Sequence, residues 1–124
     1  MEVDDSPKPL KAGFVKDTPM IGVLSQPLSS SLEKDPRMAG YTSYIMDSYI
    51  KYIEASGGRA VPLLYKGNTE EILKKLDHLN GVFYCGGAAD DDDYFNLGKA
   101  IYEKVKKFND QGVHYPIWGT CLGF

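Results

Sequence analysis

From residue 20 onward, short apolar runs alternate with segments of helical periodicity, and that alternation restricts the chain to a layered α/β fold with a mainly parallel sheet. Met20-Ile21-Gly22-Val23-Leu24-Ser25 reads as a buried strand and runs into a turn-rich stretch, from Gln26-Pro27-Leu28 to Pro36. Tyr41 to Ser56 reads as a helix: Tyr44, Ile45, Ser48, Tyr49, Tyr52 and Ile53 share one face, and Gly57-Gly58 supplies the stop. Ala60 to Tyr65 is a second strand, placed at an edge because Pro62 has no N–H for a ladder. Thr69 opens a second helix, where Glu70 and Glu71 suit the positive end and Leu73 and Leu76 form the apolar side. Gly81 to Cys85 is a third strand ending in Gly86-Gly87. Tyr94 to Gln111 is a third helix closed by Gly112, and Tyr115 to Gly119 is a fourth strand. Right-handed crossovers between such strands give a doubly wound sheet.

The 124 residues make one domain and are too few for two. Residues 1–18 are expected to form a flexible arm, and residues 19–124 the N-terminal part of a single α/β domain. The arm and Pro19 hold three prolines and no apolar h-region, so they are not a secretory signal; both a leader removed before Met1 and a cytosolic protein stay open. A net charge of −3 with scattered lysines argues against nucleic acid as a partner. No apolar run approaches the roughly 20 residues of a membrane helix. Two cysteines, Cys85 and Cys121, are too few for a disulfide framework.

Ligands of doubly wound sheets bind at the carboxyl edge of the strands. Three strands end there in residues that look functional: Gln26, Gly86-Gly87 and Cys121. Gly119-Thr120-Cys121-Leu122-Gly123, directly after an apolar strand, is a G-x-nucleophile-x-G elbow with cysteine in place of serine. Its glycines allow the close approach of a tight turn, a following helix favours thiolate, and the Leu122 N–H is a natural oxyanion donor. The Gly86-Gly87 pair presents backbone N–H groups without side-chain obstruction. The bland alternatives are a core cysteine between loop glycines and an ordinary turn.

A cysteine of this kind needs an imidazole base, and only His78 and His114 exist. Each precedes the strand it leads into. At about 3.3 Å per residue, His114 lies on the order of 20 Å from Cys121, on the amino edge. Neither serves as the base, which is then expected beyond Phe124. The run Asp90-Asp91-Asp92-Asp93 lacks the spaced pattern of a calcium loop and reads as a complement to the dipole of the helix that follows; no metal site and no cofactor are expected.

Four stretches resemble the γ-glutamyl hydrolases: Pro19 to Pro27, Tyr44-Ile45 with Ser48 to Gly57, Leu79 to Phe83, and Tyr115 to Phe124. The resemblance covers residues 19–124 and implies a class I glutamine amidotransferase-like, flavodoxin-like fold, incomplete in this chain. It implies hydrolysis of γ-linked glutamate tails of folyl and antifolyl polyglutamates through a thioester. By the same resemblance Cys121 is the nucleophile and Gly86, Gly87 and Leu122 form the oxyanion site. Tyr44 lies near the substrate, with Gln26 as a second substrate-binding residue at the same edge. The family's histidine and glutamate have no counterpart here. A lysosomal, vacuolar or secreted location and a homodimer are what the resemblance suggests. Where the family reads Pro-Gly-Gly, this chain has Cys85-Gly86-Gly87. Cys85 reads as a small buried hydrophobe, with a Cys85–Cys121 disulfide as the alternative. Two other functions remain open: a non-catalytic binding module, which the missing base motivates, and a glutaminase subunit, which Trp118 and Phe124 disfavour.

Overall fold

The computed structural model describes residues 17–124, and most of the arm expected over 1–18 lies outside the described residues. The chain enters on Met20–Leu24 (β1), then makes a two-residue strand Gln26–Pro27 (β2), a short helix Ser30–Glu33 (α1) and a second two-residue strand Ser43–Tyr44 (β3). It then alternates through Asp47–Ala55 (α2), Arg59–Leu63 (β4), Thr69–Lys75 (α3), Gly81–Tyr84 (β5), Asp92–Asp110 (α4) and Ile117–Gly119 (β6). The four longer strands pair in parallel in the order β4-β1-β5-β6, and β2 and β3 pair antiparallel. This is a partial flavodoxin-like, class I glutamine amidotransferase-like α/β fold, the class expected from the alternation of segments. Pro62 lies on an edge strand, where a missing N–H costs no ladder bond.

Each face of the sheet has its own core. Leu24, Leu63, Val82 and Tyr84 pack on one side against Ile72 and Leu76 of the α3 region and Leu97, Ile101 and Val105 of α4. Val23, Phe83 and Cys85 pack on the other against Ile53 of α2. The period-2 alternation of β1 and β5 deals neighbouring residues to opposite cores, which is why these strands are apolar throughout. Helix ends follow local chemistry. The Asn68 side chain accepts from the Glu71 N–H at 3.1 Å, and the Asp91 carboxylate accepts from the Tyr94 N–H at 3.1 Å. Gly57 and Gly112, with φ of 88° and 84°, end α2 and α4 in the left-handed region.

One helix starts later than its sequence suggests. The helix expected from Tyr41 to Ser56 begins only at Asp47, because Ser43 and Tyr44 are extended and pair with Pro27 and Gln26. Tyr44 and Ile45 fall on the helical repeat of the residues that follow, yet a tertiary strand pairing claims that stretch of backbone.

Two features place the functional edge. The chain leaves β1 for β4 on one side and later returns to β5 on the other, so β1 and β5 flank the topological switch point where a crevice opens. The approach to β6 is clamped: the Asn109 amide accepts from the Tyr115 N–H at 3.1 Å and donates to the Tyr115 carbonyl at 2.7 Å. The Tyr115 hydroxyl donates to the Leu76 carbonyl at 2.9 Å, and its ring stacks on Phe108 at 5.1 Å.

Candidate active site

The β5–β6 pairing continues one residue past β6, where the Thr120 N–H donates to the Tyr84 carbonyl at 3.1 Å. The next residue turns sharply. Cys121 has φ of 54°, and no other non-glycine among the described residues has a positive φ. Bonds from the Gly123 N–H to the Thr120 carbonyl (2.9 Å) and from the Phe124 N–H to the Cys121 carbonyl (3.1 Å) close a single 3-10 turn over Cys121–Gly123. A left-handed conformation costs an L-residue about 1–2 kcal/mol, so the turn holds its cysteine under strain. The flanking glycines are sterically required. A Cβ on Gly119 would lie 2.7 Å from the Gly123 carbonyl carbon, and one on Gly123 would lie 2.7 Å from that of Tyr84. Both obstacles are backbone and have nowhere to go.

The Gly86-Gly87 exit of β5 lies against this turn. A Cβ on Gly86 would sit 3.0 Å from the Cys121 Cβ and 2.8 Å from the Tyr49 hydroxyl. The Gly86 N–H, expected to face an oxyanion, donates instead to the Tyr49 Oη at 3.1 Å. The N–H groups of Gly87 and Leu122 donate to no protein group among the described residues. Those two, rather than Gly86, are the unspent donors at this edge.

Gln26 reaches the same edge from β1 and turns inward. It is 2% exposed, and its Nε2 donates to the Cys85 carbonyl at 2.9 Å. Gly87 packs on this amide so closely that a Cβ would lie 2.8 Å from its Cδ. Tyr44 is half-buried and directly opposite Gln26 in the β2–β3 register. The six residues named from sequence thus gather at one edge: Cys121, Leu122, Gly86 and Gly87 around the turn, Gln26 beneath them, Tyr44 across from Gln26. Tyr49 was missed. Its signal was positional, since the first turn of a helix following a strand lies at that strand's carboxyl edge.

The two thiols differ in environment. Cys85 is 2% exposed, and burial pushes its pKa up to about 11; Cys121 is exposed. The Tyr94 phenol is raised by burial and partly drawn back by a hydrogen bond with Gln26. His78 and His114 are exposed and precede β5 and β6, at the amino edge. The Asp90–Asp93 run supplies the α4 cap at Asp91, and Lys66 pairs with Asp91 at 3.4 Å and Asp93 at 3.0 Å. Among the described residues no group of three His, Cys, Asp or Glu converges as metal ligands would, and no helix is long and apolar enough to cross a membrane. A cleft of about 700 Å³ opens beside this edge, lined among others by Pro27, Tyr41, Thr42, Lys66, Ala88 and Asp91.

Known proteins share this arrangement of sequence. The peptidase C26 family profile matches residues 19–124. γ-Glutamyl hydrolase 1 of Arabidopsis thaliana is 42% identical over 109 residues, covering 86% of this chain and 30% of the relative. γ-Glutamyl hydrolase B of Dictyostelium discoideum is 35% identical over 112 residues, with 88% and 31% covered. The Homo sapiens γ-glutamyl hydrolase is 34% identical over 114 residues, with 90% and 35% covered. The chain therefore spans about a third of the length of these relatives.

Proposed function

Because the chain belongs to the peptidase C26 family, we propose that it carries the nucleophile and oxyanion parts of a γ-glutamyl hydrolase site, with Cys121 as the nucleophile. The observation that carries this reading is the strained turn at Cys121, which holds an exposed cysteine at the sheet's carboxyl edge against the Gly86-Gly87 exit of β5, where the N–H groups of Gly87 and Leu122 are unspent. The thiolate attacks the γ-carbonyl carbon, forming a C–S bond while the carbonyl π electrons move to oxygen. The Gly87 and Leu122 N–H groups stabilise that oxyanion. Collapse breaks the C–N bond and gives a thioester; the leaving amine departs with the electron pair and takes a proton. Water then cleaves the thioester, restoring the thiol and releasing a γ-carboxylate. The substrate class is a small molecule with a poly-γ-glutamyl tail, a folyl or antifolyl polyglutamate, and no cofactor enters the cycle. The compartment that accompanies this reading is the lysosome, the vacuole or the outside of the cell, and the assembly is a homodimer.

Protonating an amine leaving group requires an acid near the sulfur. Neither histidine of the chain is at that edge. The 124-residue chain on its own is therefore expected to accept an acyl group only from a leaving group that departs unprotonated, and to turn over no amide. The second reading is a non-catalytic module that binds γ-glutamyl compounds without cleaving them.

A γ-glutamyl p-nitrophenyl ester separates the two, since p-nitrophenolate needs no acid. The hydrolase reading expects a burst of one p-nitrophenolate per chain, absent in Cys121→Ala. Equal bursts in both proteins would reject Cys121 as nucleophile; binding of the γ-glutamyl group with no burst supports the module.

A further inference from the structure

The peptide group joining Cys85 to Gly86 is held from both sides. Its carbonyl accepts from Gln26 Nε2 at 2.9 Å and its N–H donates to Tyr49 Oη at 3.1 Å. The two clamps come from different elements: Gln26 from the exit of β1, Tyr49 from the first turns of α2. This matters because the following residues, Gly86 and Gly87, have no Cβ, and their backbone otherwise rotates with little resistance. The Gly87 N–H, one of the two unspent donors at the edge, belongs to the next peptide, which runs from the clamped Gly86 N–H to a Gly87 that packs against the Gln26 amide.

Gln26 is well built for holding that plane. It is 2% exposed, its backbone is fixed by pairing with Tyr44, and Gly87 packs against its amide. A buried amide with its hydrogen bonds made is costly to move, because displacement leaves polar groups unpaired. The substrate-binding role expected for Gln26 from its strand-end position requires a side chain open to a ligand, and this one faces the protein. We propose that Gln26 is a positioning residue: its carboxamide spans the switch point and orients the Gly86-Gly87 loop so that the Gly87 N–H meets the oxyanion formed at Cys121. The proposal rests on the reading of Cys121 as an acyl-accepting nucleophile.

Two reactions of the same thiol distinguish orientation of the loop from general damage. Acylation by γ-glutamyl p-nitrophenyl ester forms an oxyanion; alkylation by iodoacetamide displaces iodide at a saturated carbon and forms none. In the 124-residue chain, Gln26→Met keeps the side-chain length and removes the N–H donor. It is expected to slow acylation of Cys121 about tenfold or more, toward the loss seen when an oxyanion donor is removed. Alkylation should stay within about twofold, as a step without an oxyanion. Gln26→Glu, isosteric but presenting an acceptor to the Cys85 carbonyl, should behave alike and serves if the methionine variant does not fold. Gly87→Ala, whose new methyl collides with the Gln26 amide, should reproduce the acylation defect and add little in a Gln26→Ala background. Unchanged acylation in both Gln26 variants overturns the proposal. So does a parallel fall in acylation and alkylation, which marks a merely structural role. A burst that persists in Cys121→Ala would instead reject the underlying assignment of the nucleophile.

Discussion

Replacing Cys121 by glycine should leave the protein more stable than replacing it by alanine, the reverse of the usual order. At a site with ordinary backbone angles, alanine to glycine costs about 0.5–1 kcal/mol, because glycine has more freedom to lose on folding. At Cys121 the φ of 54° adds an opposing term: an L-residue pays about 1–2 kcal/mol there and glycine pays almost nothing. The side chain is exposed, so little packing is lost in either variant. The balance favours Cys121→Gly over Cys121→Ala by about 0.5–1 kcal/mol. Urea unfolding, followed by far-UV circular dichroism and by the fluorescence of Trp118, the one tryptophan, reads this directly. With a slope of about 1–3 kcal/mol per molar, the midpoints should differ by a few tenths molar. Ala55→Gly, in the last turn of α2, supplies the internal control with the ordinary sign. If Cys121→Gly is the less stable of the pair, the turn is not strained and the elbow argument fails.

Three further outcomes are expected. Gly123→Ala places a methyl against the Tyr84 backbone, so it should cost about 1–3 kcal/mol in urea melts and sharply slow acylation of Cys121. Cys85 has a folded pKa of about 11 against an ordinary 9.0, so the folded state holds the thiol proton more tightly. Its contribution is whole below pH 9.0 and is lost as pH rises through 11, a drop of about 2–3 kcal/mol that Cys85→Ala should flatten in urea melts across that range. Asn68→Ala removes the α3 cap and should cost about 1 kcal/mol by the same measurement, with acylation of Cys121 unchanged.

The order of elements was legible because the central strands β1 and β5 feed cores on both faces of the sheet and read as apolar runs, while α2 and α4 each carry one apolar face. Gly57 and Gly112 marked helix ends for a local reason, and local reasons can be read from a sequence. The start of α2 was not legible. Tyr44 continues the helical spacing of Ser48 and Tyr52, and only the pairing with Gln26, eighteen positions earlier in sequence, pulls it into an extended conformation. The elbow was legible as a motif, since its two glycines answer to clashes within a few residues or with the adjoining strand. What escaped was the direction of side chains and N–H groups. A glutamine after a strand reads as a solvated turn residue, and burying Gln26 takes a carbonyl fifty-nine positions away. For the same reason the Gly86 N–H looked available until the Tyr49 hydroxyl was found on it.

The most direct test of the account is acylation of the folded chain by γ-glutamyl p-nitrophenyl ester, followed by peptide mapping. The account predicts one γ-glutamyl group per chain, on the peptide containing Cys121, formed much faster in the folded protein than in urea-unfolded chain at the same pH. Label spread over lysines, label on Cys85, or equal rates folded and unfolded would contradict it.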